Sequence, residues 1–370
     1  MSESTTNQSG LLAEIFGELK DPTYKPWRVG LSMCASWSMG VSMAAGLSLL
    51  AVWGLGPFIV WMTFNTLAIP VFSIIYVKVP QFRQFINFRI GLGIMLLVAF
   101  LQITLNQNAM RAALAGGVDF ASYGFISTGI ATYLVMGIST ALFLFIYKYE
   151  LPGSVTTDVV QYFGQVGAAL VIVATGVYFG FSGVDVPLGV EPSEWLMAAT
   201  LGILLGPYVD PTQWQRIEQA PQLETGIWGG VFFGFYMALV LASALVFGSN
   251  SLLHGALFAI VVFSVATSTL DSLAAAMQRI FNNKNIALVF GLVGVGIFPF
   301  AGVIGVGELW SIFANYRAPI VVGILLIAFA LEIGNRYISE GISAEMLKTR
   351  LDYAANEYTS IEDHLGPSDD

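Results

Sequence analysis

The chain has few charged residues. Asp, Glu, Lys and Arg make up 11% of its 370 residues, whereas a soluble globular protein carries about 25%. Hydrophobic residues account for 56%, the mean hydropathy is +0.74, and apolar runs that suffice to cross about 30 Å of hydrocarbon recur along the whole length. These features exclude an ordinary water-soluble fold and predict an all-α polytopic membrane protein.

Cysteine and basic residues are also scarce. Cys34 is the single cysteine, which excludes an intrachain disulfide and a cysteine metal cluster. The 15 basic residues are outnumbered by 24 acidic ones, for a net charge of −9, and this argues against nucleic acid as a partner. Residues 1–25 lack the basic and apolar stretches of a cleavable signal peptide. We expect them to form a cytoplasmic segment with a short amphipathic helix at 11–19.

The apolar runs predict about ten transmembrane helices. They lie near 29–53, 57–77, 88–106, 124–147, 155–181, 194–213, 226–247, 253–279, 286–304 and 309–333. Residues 335–370 follow as a predicted cytoplasmic tail, with an amphipathic helix over 339–358.

The basic residues predict the orientation, because lysine and arginine concentrate in cytoplasmic loops. With the N-terminus inside, thirteen of them fall on the cytoplasmic side and Arg111 alone falls outside. We expect a multi-pass protein of a prokaryotic plasma membrane, with both termini in the cytoplasm. The thirteen are Lys20, Lys25, Arg28, Lys78, Arg83, Arg89, Lys148, Arg216, Arg279, Lys284, Arg336, Lys348 and Arg350.

Two of the predicted spans are interrupted. Small polar residues and Gly40 break the apolar run of the first, and the sixth contains a Gly-Pro-Tyr-Val-Asp-Pro segment at 206–211 that cannot continue as a regular helix. Such breaks are tolerated in a bilayer only inside the protein or beside water. If 26–181 and 182–334 are two five-helix halves, the broken helices 1 and 6 are equivalent, a pattern typical of inverted-repeat transporters with a midplane site. The alternative is two unrelated kinks.

Two other spans carry polar stripes. Ser154, Asp158, Gln161 and Gln165 share one face of the fifth span. In the eighth span, Ser264, Ser268 and Asp271 share a face. A lone serine there is explained by interhelical hydrogen bonding. An ionisable group costs about 2.5–3.5 kcal/mol to insert, so hydroxyls beside Asp158 and Asp271 favour an ion path.

Four segments, in this order and spread over about 180 residues, carry a resemblance. Together they resemble the sodium/solute symporter family, which includes sodium-coupled sugar and proline transporters. The segments are Ala35-Ser-Trp-Ser-Met-Gly40, Thr157-Asp-Val-Val-Gln161, Asp210-Pro-Thr-Gln-Trp-Gln-Arg216 and Ser268-Thr-Leu-Asp-Ser272.

The resemblance implies a five-plus-five inverted-repeat core, a sodium site between helices 1 and 8, and a substrate site beside it. Sodium is a hard cation that prefers oxygen ligands, by analogy with calcium and magnesium. We expect Asp158 to lie more than 10 Å from the ion and to act in release. The predicted sodium ligands are the hydroxyls of Ser268 and Thr269 and the carbonyls of Ala35, Ser38 and Val265. The predicted substrate residues are Gly40, Ser42, Met43, Gln102, Asn106, Gly206, Tyr208 and Asp210.

The function expected from these features is sodium-coupled symport of a small organic solute by alternating access. Sodium is the coupling ion, no other cofactor is expected, and the chain is not expected to be an enzyme. A non-transporting solute sensor and a proton-coupled transporter stay open as alternatives, and so does the oligomeric state. The Gly-Phe-Ser-Gly string around Ser182, with His254, fits an intramembrane protease poorly, because no helix N-terminus there can stabilise an oxyanion. The identity of the solute is open.

Overall fold

The fold is known from a computed structural model, which describes residues 24–38, 50, 54–78, 89–115, 125–183, 202–248 and 251–301. These residues all lie in one compact unit, Met1–Val322. The amphipathic segments at 11–19 and 339–358, the tenth predicted span and the residues Gly40, Ser42 and Met43 fall outside the described ranges.

Over the described ranges the regular structure is helical throughout, without a strand. Four helices, α2, α4, α6 and α7, are long and apolar enough to cross a membrane. The helices are α1 Pro26–Trp37, α2 Leu55–Lys78, α3 Arg89–Ala115, α4 Thr128–Phe179, α5 Pro211–Ile217, α6 Leu223–Leu245, α7 Leu252–Phe281 and α8 Lys284–Ala301, with a 3-10 turn at Gly206–Tyr208 before α5.

Helix α4 is divided in two by a break at Glu150. Its 52 residues would extend about 78 Å if straight, far more than a bilayer crossing needs. Glu150 leaves helical geometry with φ 55° and ψ −148°, and Pro152 supplies no amide donor at the start of the next turn. The two segments, 128–149 and 151–179, replace the predicted fourth and fifth spans, and a single non-helical residue stands where a loop is expected.

The outward faces of the long helices are apolar. Ile130, Phe163 and Val177 on α4 are 61%, 58% and 66% exposed, and further large apolar residues are exposed on α2, α6 and α7. A soluble monomer rarely exposes so much contiguous apolar surface. These faces are therefore suited to contact with lipid.

Close packing brings α6 against α2 and α1. A Cβ added at Gly230 would lie 2.5 Å from Cγ of Pro70 on α2, and one added at Gly30 would lie 2.6 Å from the carbonyl oxygen of Thr225. Only glycine leaves room for this backbone approach, as is usual where membrane helices pack. The contact holds α1 against α6 and so positions the residues on the opposite side of α1.

Two short stretches interrupt the helices near the centre of the unit. Helix α1 ends at Trp37, because Ser38 has ψ 70°, and its 12 residues span about 18 Å, less than the hydrocarbon thickness. Residues 202–204 are helical, but the chain then passes through the 3-10 turn and an extended Asp210 before α5 begins. Both stretches expose backbone groups that a continuous helix would satisfy internally.

Candidate ion and solute site

Polar residues are concentrated where α1, α5, α7 and the second segment of α4 meet. A group of ten is completely buried, although each member sits on an otherwise apolar helix or beside one. Buried polar groups must be paired, since an unpaired one costs several kcal/mol in hydrocarbon. The ten are Ser32, Ser36, Ser154, Asp158, Gln213, Arg216, Ser268, Thr269, Asp271 and Ser272, each 0% exposed.

The centre of this group is an ion pair between Asp158 and Arg216. Nη2 of Arg216 lies 3.0 Å from Oδ2 of Asp158. The hydroxyl of Ser32 also donates to Oδ2, and that of Ser268 donates to Oδ1 at 2.5 Å. The carboxylate therefore has one cationic and two hydroxyl partners, from three different helices.

Arg216 donates to hydroxyls on three further helices. Its Nε donates to Ser32 at 2.8 Å, and its Nη2 donates to Ser154 and to Ser272, both at 2.6 Å. The sequence analysis counts Arg216 among the cytoplasmic basic residues and gives it no place in the site. In the structure it is fully buried and joins α5 to α1, α4 and α7.

A second buried carboxylate, Asp271, lies beside the ion pair. Its Oδ2 accepts from Thr157 at 2.5 Å and its Oδ1 accepts from Ser154 at 2.9 Å. No basic side chain among the residues placed by the structure forms an ion pair with it. Two ionised carboxylates and one guanidinium leave one negative charge in excess, which a bound cation or a proton would neutralise.

The predicted sodium ligands of α7 face the end of α1. Oγ1 of Thr269 lies 3.2 Å from the carbonyl oxygen of Val265 and 3.4 Å from that of Ser36. Ala35 and Ser38 flank this carbonyl and are fully buried. The hydroxyl of Ser38 donates back to Cys34 O at 2.8 Å.

One distance expected from the sequence is wrong. Asp158 is not more than 10 Å from the predicted ligands, because Ser268 donates to it directly. The second segment of α4 packs along α7 with these residues opposite each other. A sequence stripe identifies the interior face of a helix but does not give its offset along a neighbouring helix.

Two of the predicted substrate residues meet in front of α5. Nε2 of Gln102 on α3 donates to Oδ2 of Asp210 at 3.1 Å. Oδ1 of Asp210 accepts from the amide and the hydroxyl of Thr212 at 2.9 and 2.7 Å, the usual bonding of an aspartate at a helix N-cap. Asn106 donates to the carbonyl of Gln102 on its own helix at 2.8 Å.

The 3-10 turn holds the other two described substrate residues, Gly206 and Tyr208. The ring of Tyr208 packs edge-on against Phe72 of α2, with centroids 5.2 Å apart, and its carbonyl accepts from Trp214 Nε1 at 2.8 Å. These contacts fix the turn between α2 and α5.

Gln213 connects the Asp210 region to α1 and is absent from the sequence-based site. Its Nε2 donates to Oγ of Ser36 at 3.0 Å and to Met33 O at 3.3 Å. Ser36 thus contacts both Gln213 and Thr269. A signal for Gln213 and Arg216 exists in the sequence, because a spacing of three places them on one face of a helix that follows the break.

His254 has partners other than Ser182. Its Nε2 lies 2.8 Å from Oγ1 of Thr175, and its Nδ1 accepts from the amide of Gly248 at 2.9 Å. Both ring nitrogens are thereby engaged in fixing the start of α7 against the end of α4. Across the described ranges, no group of three or more His, Cys, Asp and Glu side chains is arranged to hold a metal ion.

No protein-family model matches the chain, and no curated protein matches it either. The chemistry of the buried residues is therefore the basis on which a function can be assigned.

Proposed function

We propose that the protein is a sodium-coupled symporter of a small organic solute, with an inverted-repeat core of the kind found in sodium/solute symporters. The observation that carries this proposal is the approach of Thr269 to Ser36 O at the point where α1 stops being helical. A hydroxyl and freed carbonyls on two different membrane helices are oxygen donors of the type that hard cations prefer.

The ligand set is neutral, and neutral oxygens suit an ion that must also be released. Thr269 Oγ1 and the carbonyl oxygens of Val265 and Ser36 lie within 3.4 Å of one another through the hydroxyl. Because each carbonyl oxygen has two lone pairs, Val265 O can accept a helical bond and still face an ion. The carbonyls of Ala35 and Ser38 at the end of α1 complete the proposed set.

The excess negative charge beside this set favours a cation. At an effective dielectric constant of about 20, a monovalent cation about 6 Å from a carboxylate gains about 3 kcal/mol. Asp271 has no cationic partner in the described part of the chain, and Asp158 shares its charge with Arg216. Sodium bound near Thr269 would restore charge balance in the buried group.

Coupling between ion and solute follows from the position of Ser36. Its carbonyl accepts from Thr269 in the proposed sodium set, and its hydroxyl accepts from Gln213 beside Asp210. Sodium binding would hold the end of α1 in place and thereby order the neighbouring solute residues. By linkage, the solute would strengthen sodium binding by the same factor.

Sodium binding to the purified protein tests the proposal without knowledge of the solute. Thr269→Val removes the hydroxyl and preserves the side-chain shape, so sodium binding, measured with radioactive sodium or by thermal stabilisation against potassium, is expected to weaken at least tenfold, about 1.4 kcal/mol. Thr267→Val is the matched control on the same helix. Its hydroxyl bonds to Phe263 O and Gln161, so sodium affinity should not change. Equal affinity in wild type and Thr269→Val refutes the assignment.

Flux separates a symporter from a sensor that shares the fold. Proteoliposomes that contain the protein should take up sodium when a solute that stabilises the protein is added outside. Binding without flux favours the sensor.

A proton-coupled transporter is the second candidate, and Asp271 is the observation that favours it. A buried carboxylate without a cationic partner can be neutralised by a proton instead of sodium. In that case a pH gradient should drive solute uptake with potassium as the only metal cation, and Asp271→Asn should abolish this drive. Sodium binding that depends on Thr269 excludes this candidate.

A further inference from the structure

Two buried amide oxygens near α5 have no hydrogen-bond partner. They are Oε1 of Gln102 and Oε1 of Gln213, and both side chains are 0% exposed. Leaving a buried polar group unsatisfied costs about 1–3 kcal/mol, and such exceptions in a native structure need an explanation. The two oxygens are acceptors, so the missing partner must be a donor.

Both oxygens belong to side chains that are tied to Asp210. The amide nitrogen of Gln102 donates to one carboxylate oxygen at 3.1 Å. The amide nitrogen of Gln213 lies 3.4 Å from Oγ1 of Thr212, whose hydroxyl donates to the other carboxylate oxygen at 2.7 Å. An amide oxygen lies about 2.3 Å from its own nitrogen. The unpartnered acceptors are therefore close to the carboxylate.

Asp210 itself lacks a cationic partner. It is fully buried, and none of the basic side chains in the described ranges forms an ion pair with it. Three donors reach its oxygens, from Gln102 and from the amide and hydroxyl of Thr212. A carboxylate has about four acceptor positions, so one remains for a ligand.

We infer that the solute carried by this protein is a cation with N–H groups, namely a primary or secondary ammonium or a guanidinium. Asp210 supplies the countercharge and the oxygens of Gln102 and Gln213 accept the N–H donors. An anionic solute would be repelled by Asp210. A quaternary ammonium would satisfy the charge but leave both amide oxygens unpartnered. This inference rests on the proposed function and adds the substrate class.

Sodium should strengthen the binding of this cation. Gln213 donates to the hydroxyl of Ser36, and the carbonyl of Ser36 belongs to the proposed sodium set. The two cations are held on different sides of the same residue. Ordering of Ser36 by sodium therefore preorganises Gln213 for the solute.

Calorimetric titration of the purified full-length protein in saturating sodium tests the inference with matched pairs of probes. Methylammonium, ethanolamine and guanidinium carry N–H donors. Tetramethylammonium and choline are the fully N-methylated counterparts of the first two, and acetate is an anionic control. At least one N–H cation should bind, its N-methylated counterpart should bind at least tenfold more weakly, and acetate should not bind. Binding of the methylated or anionic probes at equal or greater affinity overturns the inference.

Substitution of Asp210 assigns the binding to this site. Asp210→Asn removes the charge and keeps a good N-cap residue for α5, so the variant should fold and lose at least tenfold in affinity for the N–H cation. Asp210→Glu keeps the charge and should retain more of the affinity than Asp210→Asn. If Asp210→Asn does not fold, the comparison of wild type with Asp210→Glu and the series of methylated probes still decide the question. Unchanged affinity in a folded Asp210→Asn protein overturns it.

Gln102 and Gln107 provide a further matched comparison. Both lie on α3, are fully buried and have an unpartnered Oε1, but Gln107 donates to Ser139 and not to Asp210. Gln102→Met should weaken binding of the N–H cation, and Gln107→Met should leave it unchanged. Equal effects of the two substitutions count against the inference.

The outcomes also separate this inference from the proposed function. Sodium binding that depends on Thr269, without binding of any N–H cation, refutes the substrate class and leaves the symporter standing. Binding of an N–H cation that depends on Asp210, in a protein that ignores sodium, refutes sodium coupling and supports the cation subsite.

Discussion

The two faces of α7 are packed in different ways. One face carries polar residues that bond to α4, α5 and the end of α1. The opposite face lies in an apolar cluster with α3, α8 and the first segment of α4. The polar face consists of Ser268, Thr269, Asp271 and Ser272, and the apolar face includes Ala266, Leu270, Leu273, Ala274 and Met277.

The difference lies in how strictly each face determines its partners. Apolar side chains gain from any close-packed neighbour, so the cluster tolerates changes that conserve volume. Hydrogen bonds and ion pairs require particular atoms at particular distances. The polar face therefore determines one relative position of α1, α4, α5 and α7, whereas the apolar face mainly contributes packing. Substitutions on the two sides should have distinct consequences, and the following four expectations run from the largest effect to the smallest.

Arg216→Met should be the most destabilising change. It leaves two buried carboxylates, Asp158 and Asp271, without a cation, and breaking a buried ion pair costs about 3–5 kcal/mol. Thermal unfolding of the purified protein in detergent measures the loss. The double variant Arg216→Met with Asp158→Asn restores the original charge balance and should regain part of the stability. A double variant no more stable than the single one would mean that Arg216 acts by packing alone.

Leu270→Ala tests the apolar face and should destabilise by about 2–3 kcal/mol. The residue is 0% exposed within the cluster, so truncation leaves a cavity, and Leu→Ala changes in cores cost about 2–5 kcal/mol. Sodium affinity should not change, because Leu270 points away from the polar face. Leu134→Ala, at an α4 position that is 46% exposed, is the control and should shift the melting temperature much less. Loss of sodium affinity in Leu270→Ala would blur the distinction between the faces.

Ser154→Ala removes one hydroxyl that joins both carboxylate systems. It donates to Asp271 at 2.9 Å and accepts from Arg216 at 2.6 Å, and hydrogen bonds to charged groups contribute about 1.5–3 kcal/mol. We expect a loss near 1.5 kcal/mol in thermal unfolding. Ser139→Ala, also buried on α4, removes bonds to Val135 O and Gln107 only. Its effect should be smaller, and a larger one would show that the charges add nothing to the worth of a hydroxyl.

Lys284→Met should have the smallest effect. Its ion pair with Glu150 lies at the start of α8, with the two side chains 50% and 48% exposed, and exposed pairs contribute about 0–1 kcal/mol. Raising the salt concentration should remove whatever difference remains between this variant and wild type. A loss comparable to that of Arg216→Met would contradict the role given to burial.

Part of the site can be predicted from the sequence. Asp158, Ser268 and Asp271 are recognisable because carboxylates and hydroxyls recur on one face of apolar segments, and a bilayer makes such residues costly unless they face the protein interior. The interruptions near Ser38 and Gly206 are recognisable because proline and glycine cannot continue a regular helix without loss. The membrane class follows with the same directness from the scarcity of charge.

The role of Arg216 could not be predicted in this way. By the rule that basic residues gather in cytoplasmic loops it belongs to the surface, and only its spacing of three from Gln213 hints otherwise. The same holds for Gln213, whose contacts are with residues of α1. The offset between Asp158 and Ser268 was wrong for a related reason, since periodicity describes one helix at a time.

The sequence by itself determined that this chain forms apolar helices, where two of the helical runs are interrupted and which polar residues cannot face lipid. These properties depend on neighbours within a few residues and on the cost of polar groups in hydrocarbon. Only the tertiary structure decided that Arg216 pairs with Asp158 and leaves Asp271 and Asp210 without a cation. The partners of Arg216 come from residues 58 and 184 positions away, and their meeting depends on how whole helices pack, which local pattern does not encode.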